Sequence, residues 1–403
     1  MSFGFLRARS GAIPVLLALL IALPACDSSE PDEPGDGDEQ GRVLFGVNYD
    51  RLFSDATAAE IQSVRDDWAS RNPTSSNETV LGSTSTGIGT AFLVQHDVTT
   101  SGQSPITHYG VVHVPDGGDD LPVLVVHHGG DGGFSIAGSG ANGTVTGFAA
   151  TFPDLASSTV LVVPVYRSEP VLTEGTALAP VTAGGSPSPW DFDVDDSIAF
   201  LDAALELYAD ETDDSRIAAI GFSRGGNTAA LHSIRDDRVD ALVDYYGPTD
   251  FYNETTETLA TRLLTGNAGA LGLPGGQFLL DTVLNPLRNA DGTANPDADY
   301  GPARLEVVRR SASLFEADLP DTQVHHHVND PVVPIPFSIA FAARAEGGGG
   351  GSFEFFQYDS ESNGNSFHSP EGFPSSVPVV TTFLRSQLAV GSIVSAPELE
   401  LAY

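Results

Sequence analysis

Between Leu121 and Tyr246 the chain repeats one pattern, a short apolar run, a turn, and a segment with helical spacing. Val123 to His127 and Val160 to Val165 have the length and purity of strands buried on both faces. Arg216 to Gly221 and Ala241 to Tyr246 read as two more strands, with a helix from Gly225 to Ile234 between them. Asp191 to Tyr208 carries Val194, Ile198, Leu201, Leu205 and Tyr208 at spacings of 4, 3, 4 and 3, one face of a helix. Parallel neighbours need a crossover of this kind. The alternation therefore predicts βαβ units and a mostly parallel central sheet with helices on both faces.

Further strands are expected at Thr90 to Val98, Thr107 to Val114, Gln323 to Val328 and Ser352 to Tyr358, the last after the glycine run Gly347 to Gly351. A first helix is expected at Thr57 to Ala69, where Thr57-Ala58-Ala59-Glu60 fits a capping box and Ile61, Val64 and Trp68 share a face. Phe251 to Tyr300 breaks the pattern. Its weak helical signals and Gly-, Asn- and Asp-rich breaks read as a small cap insertion over residues 251–302.

One connection carries chemistry. Gly221-Phe222-Ser223-Arg224-Gly225-Gly226 joins the buried run Ile217 to Ile220 to an Ala-rich helix. A G-x-S-x-G string alone is weak in a chain with 43 glycines, but a serine on a sharp strand-to-helix turn needs small neighbours because the backbone packs closely there. The same turn sets Ser223 at a helix N-terminus, where free N–H groups favour developing negative charge. Ser223 is thus the candidate nucleophile.

A serine nucleophile needs a base. His325, His326 and His327 fall inside a strand-like run, which leaves His368, in a polar loop after the Phe353 to Tyr358 strand. The acid that holds its other nitrogen is expected at Asp330, directly after the histidine strand, with Asp250 as the competitor. An oxyanion site needs two convergent N–H donors. Arg224 offers its backbone N–H, and the glycine loop His127-His128-Gly129-Gly130-Asp131-Gly132-Gly133 offers that of Gly130, with Asp131 as second choice. Arg167 and Glu169 are expected at the mouth of the site. His325-His326-His327 resembles a metal cluster in composition only, since consecutive strand residues point to opposite faces, and no metal or cofactor is expected.

Taken together, H-G-G after the strand at His127, G-F-S-R-G-G at the elbow, Y-G-P-T-D-F after the next strand, H-V-N-D-P-V-V-P around Asp330 and the terminal S-F-H resemble the α/β-hydrolase superfamily. Within it they are similar to the prolyl oligopeptidase catalytic domain and its esterase relatives, over about Thr107 to Leu388. The resemblance implies a two-step acyl transfer, with Ser223 attacking a carbonyl, His368 as base, and water releasing the acyl-enzyme. Two departures matter. The family pattern has His-Gly where this chain has His327-Val328. The peptidases also carry a large β-propeller, for which roughly 80 residues between Cys26 and Thr107 leave no room. The balance moves towards a carboxylic ester hydrolase acting on small or polymer-derived esters. A serine exopeptidase is the alternative, and a non-catalytic surface binding protein on the same scaffold the third reading.

The remaining features concern location. There are 54 acidic residues against 18 basic ones, all of them Arg, for a net charge of −36. Such a field repels nucleic acid and anionic membrane surfaces, and acids spread along the whole chain fit a surface adapted to high salt. A calcium reading has no D-x-[DN]-x-[DN]-G loop behind it. The sole cysteine, Cys26, rules out an intramolecular disulfide. Arg7 and Arg9, the apolar run Gly11 to Leu23, and Leu23-Pro24-Ala25-Cys26 read as a lipoprotein-type leader over residues 1–25, with Cys26 lipidated. An ordinary secretory leader is the alternative. Residues 26–41 then form an acidic tether, and 42–403 the hydrolase domain. The lipid anchor would be the chain's only membrane contact.

Overall fold

A computed structural model describes residues 41–362 and 364–390. The leader, Cys26 and the tether up to residue 40 lie outside the described residues. The main sheet has nine strands: β1 (Thr74–Ser85), β2 (Gly89–Thr99), β3 (Ile106–Pro115), β4 (Leu121–His127), β5 (Val160–Pro164), β6 (Thr212–Phe222), β7 (Val239–Tyr245), β8 (Asp321–His327) and β9 (Phe353–Tyr358). Their order across the sheet is β9-β8-β7-β6-β4-β5-β3-β2-β1. From β5 through β9 every pairing is parallel, while β1, β2, β3 and β5 pair antiparallel.

The alternation of side chains across these strands divides the core in two. Val123, Val125, Val160, Val162, Ile217, Ala219 and Leu242 face one apolar layer. Their neighbours Leu124, Val126, Leu161, Val163, Ala218, Ile220 and Val243 face the other. Both layers are covered by helices, so the strands are apolar on both faces, as buried parallel strands must be.

The principal helices are α1 (Ala58–Arg71), α2 (Val145–Thr151), α3 (Phe192–Leu207), α4 (Arg224–Arg235), α5 (Glu254–Leu264), α6 (Tyr300–Arg310), α7 (Pro336–Ala345) and α8 (Ser376–Gln387). The capping box of α1 is formed: Glu60 N–H donates to Thr57 Oγ1 at 3.2 Å, and Thr57 N–H donates to Glu60 Oε2 at 2.8 Å. Residues 251–302 hold α5 and short irregular turns between β7 and β8. They dock on the N-terminal segment through Arg42–Glu257 at 2.7 Å and Tyr49–Thr261 at 3.1 Å. Among the described residues, no helix is long and apolar enough to cross a membrane.

The sheet order positions the site. From β4 the chain crosses to β5 on one side, then returns to place β6 on the other. The carboxyl ends of β4 and β6 therefore flank a crevice where the strand order reverses, the place where open α/β sheets bind ligands.

Candidate active site

Ser223 sits in that crevice, between the end of β6 and the first residue of α4, with φ 57° and ψ −124°. A non-glycine residue at positive φ costs on the order of 1–3 kcal/mol and persists only where its surroundings enforce it. Here the enforcement is visible. Ser223 N–H donates to the Tyr245 carbonyl of β7 at 2.9 Å, and its own carbonyl accepts from Gly226 N–H at 2.8 Å. The flanking glycines are required by contact. A Cβ at Gly221 would lie 2.0 Å from the Gly225 carbonyl, and one at Gly225 would lie 2.2 Å from the His127 carbonyl at the end of β4. This is the physical content of the G-x-S-x-G spacing.

The loop after β4 touches the same turn. A Cβ at Gly129 would stand 3.3 Å from Ser223 Cβ. Gly129 N–H is already used by the Asn142 carbonyl at 2.7 Å. Neither Gly130 N–H nor Arg224 N–H takes part in any of the backbone hydrogen bonds of the connecting segments. These are the two candidate donors to a ligand oxygen.

Asp330 and His368 meet. His368 Nδ1 lies 2.8 Å from Asp330 Oδ2. The other carboxylate oxygen of Asp330 accepts from Val332 N–H at 2.7 Å and Val333 N–H at 3.0 Å, so the acid is fixed on both sides and fully buried. The imidazole packs against the Tyr246 ring with centroids 4.4 Å apart. Tyr246 directly follows the residue whose carbonyl holds Ser223, so the wall of the base and the seat of the serine belong to one strand end. No hydrogen bond joins Ser223 Oγ to His368 Nε2. The competitor acid is engaged elsewhere: Asp250 accepts from Ser313 Oγ at 2.8 Å and Arg344 Nε at 2.9 Å.

Glu371, three residues past His368, was not legible in the sequence. Its Oε1 accepts from Ala141 N–H at 3.0 Å and Thr151 Oγ1 at 2.9 Å, tying the histidine loop to α2 and the segment leading into it. Arg167 and Glu169 depart from expectation. Each is only 6% exposed, so neither lines a mouth. Arg167 makes a double ion pair with Asp196, at 2.6 and 2.8 Å, and Glu169 pairs with the Arg224 guanidinium.

The three histidines of β8 are spread over both faces of the strand. His325 stacks on Phe356 at 4.8 Å, and His327 stacks on Phe367 at 3.7 Å. His326 contacts Ser338 and the Val333 carbonyl, at 2.7 and 2.9 Å. Burial pushes His325 down to about 3 and His326 to about 4, which keeps both rings neutral.

A family model described as the dienelactone hydrolase family matches residues 146–269, a stretch that holds Ser223 and Asp250 and ends before Asp330. Acetyl xylan esterase 1 from a Thermoanaerobacterium species superposes with a TM-score of 0.50 at 14% identity, over 81% of this chain and 92% of that one. The fold is that of the α/β-hydrolases. Two further α/β-hydrolase neighbours are a rice cell wall degrading esterase from Xanthomonas oryzae and an acylaminoacyl peptidase from Pyrococcus horikoshii. The first has TM-score 0.48 and 16% identity, over 78% of this chain and 98% of that one. The second has TM-score 0.46 and 13% identity, over 77% of this chain and 49% of that one. No curated protein matches the sequence.

Proposed function

We propose that the protein is an exported serine hydrolase that cleaves carboxylic esters through an acyl-enzyme. The observation that carries this reading is the 2.8 Å hydrogen bond between His368 Nδ1 and Asp330 Oδ2, together with a serine held at positive φ on a strand-to-helix turn. In this reading Ser223 Oγ attacks the ester carbonyl and its proton passes to His368 Nε2. Asp330 keeps the Nδ1 proton in place and stabilises the imidazolium that forms. The carbonyl oxygen, now negative, is received by the N–H groups of Arg224 and Gly130. The ring passes its proton to the departing alcohol, and water attacks the ester of Ser223 by the same route in reverse. In this reading residues 251–302 form the cap over the site.

The fold also hosts peptidases, and fold does not fix substrate. Esters are favoured because the matching family model is that of dienelactone hydrolases and a structural neighbour at TM-score 0.50 is an acetyl xylan esterase. Acetyl esters of a polysaccharide are a natural first substrate, given the acetyl xylan esterase neighbour. Export rests on the leader and on Cys26, and loss of membrane association in Cys26→Ser tests the anchor. For the activity, p-nitrophenyl acetate and butyrate are compared with aminoacyl and prolyl p-nitroanilides, using wild type and Ser223→Ala. Ester turnover lost in Ser223→Ala supports the reading. Anilide turnover lost in the same way moves the protein to the peptidases. Turnover that survives in Ser223→Ala removes the nucleophile.

A further inference from the structure

We propose that the Arg224 side chain, held between Glu169 and Asp193, positions the glycine loop 129–133 for catalysis, so that one residue serves both halves of the oxyanion site. This rests on the serine hydrolase reading. Four of the five residues in the loop are glycine, and such a backbone has little conformational preference of its own. Something else must fix it. Arg224 Nη1 donates to the Gly130 carbonyl at 3.2 Å and also pairs with Glu169 Oε1. Glu169 Oε2 accepts from Gly133 N–H at 2.9 Å, at the far end of the loop. At the near end, Tyr166 OH donates to the His128 carbonyl at 2.9 Å, and the Arg224 guanidinium lies 4.3 Å over the Tyr166 ring. The guanidinium is anchored from behind by Asp193 Oδ2 at 2.5 Å. Besides the Gly129 bond to Asn142, the loop is thus held at residues 128, 130 and 133, and those three holds converge on one cation.

The chemistry favours a positioning role over simple stabilisation. Arg224, Glu169 and Asp193 side chains are 4%, 8% and 0% exposed. Burying such a cluster costs desolvation that its own attraction barely offsets, so a buried ion pair is poor evidence of stabilisation. What it does supply is direction. The planar guanidinium spends separate N–H groups on two carboxylates and a carbonyl, which fixes the peptide preceding Asp131 and hence the neighbouring Gly130 N–H. Both carboxyls are pushed up by burial, Asp193 most directly because it is wholly enclosed.

The test is Glu169→Gln, which can still accept from Gly133 but turns an amide towards the guanidinium. Loosening one oxyanion donor is expected to lower kcat about 30-fold with KM within about twofold. The inhibition constant of a trifluoromethyl ketone, whose adduct with Ser223 places an oxyanion in the same spot, should rise in parallel. Asp196→Asn breaks the neighbouring Arg167 pair without touching the loop, and should lower Tm while leaving kcat in place. If Glu169→Gln fails to fold, Arg224→Lys is read by the same two measurements. A folded variant that keeps kcat within twofold, or loses kcat with ketone inhibition unchanged, overturns the assignment. Ser223→Ala run in parallel separates the failures. Activity surviving there sinks the serine hydrolase reading itself, whereas activity lost there but kept in Glu169→Gln sinks only the role of the loop clamp.

Discussion

Replacing Asp330 by Asn tests the proposed acid most directly, because the structure dictates how the new amide must lie. Asp330 Oδ1 accepts two backbone N–H groups, from Val332 and Val333. In Asp330→Asn the amide oxygen has to stay there, since turning the NH2 towards two donors would leave both unpaired at about 1–3 kcal/mol each. The NH2 then faces His368 Nδ1, which must accept. That forces the proton onto Nε2, the nitrogen needed to take the proton from Ser223. The ring keeps its place but holds the wrong tautomer, and such a change costs about 10⁴ in kcat, or about 5 kcal/mol of transition-state stabilisation. The assay is kcat on p-nitrophenyl acetate with folding checked by near-UV circular dichroism. Asp250→Asn is the control, since that carboxylate serves Ser313 and Arg344 and should leave kcat within a few-fold. An Asp330→Asn enzyme that is folded and retains more than a tenth of wild-type kcat would refute the reasoning, as would a larger loss in Asp250→Asn.

Asp244 lies beneath the elbow, fully buried, and burial raises it from 3.8 to about 7. The folded protein binds this proton more tightly than the unfolded chain, so stability is lost as pH rises from about 4 to about 7 and is level above that, by up to roughly 4 kcal/mol. Asp244→Asn should abolish that slope and raise Tm at pH 8 more than at pH 5; an equal shift at both would refute it. Glu371→Ala leaves Ala141 N–H without its acceptor and frees the loop of His368, so kcat should fall about tenfold or more. Unchanged kcat would show that the loop holds itself. With 54 acids against 18 arginines, Tm and activity should rise between 0.1 and 3 M NaCl by screening of like charge, and a flat or falling profile would remove the salt-adaptation reading.

The parallel half of the sheet was legible because its strands are apolar on both faces and are separated by helices of regular period. The antiparallel edge was less so. β1 (TSSNETVLGSTS) lies at the sheet margin, largely exposed, with no apolar alternation for a sequence reading to detect. Its identity as a strand comes from its long pairing with β2, a non-local interaction. Helix α6 was missed for a related reason. α6 spends its polar groups on tertiary ion pairs, such as Arg304 with Glu60 at 2.6 Å, which no local spacing marks.

The candidate site divides along the same line. Ser223, Asp330 and His368 could be ordered because each follows a recognisable strand, and the pairing of Asp330 with His368 needed only that order. The clamp on the glycine loop had no such local mark. Glu169 and Asp193 stand 55 and 31 residues from Arg224, and nothing in the spacing joins them. A signal was nevertheless present. Asp193, Asp195 and Asp196 sit at the buried start of a helix that is otherwise mostly apolar, and a carboxylate on a buried face needs a cation. In a chain with three acids per arginine, cations are the scarce partner, so those placed in the interior are committed to particular acids. Arg71, Arg167, Arg224 and Arg235 each reach an aspartate at the start of α3, over residues 191–196. The acidity that reads as a surface property in the composition therefore also shapes the interior, where Arg224 is the cation that joins the elbow to the loop opposite.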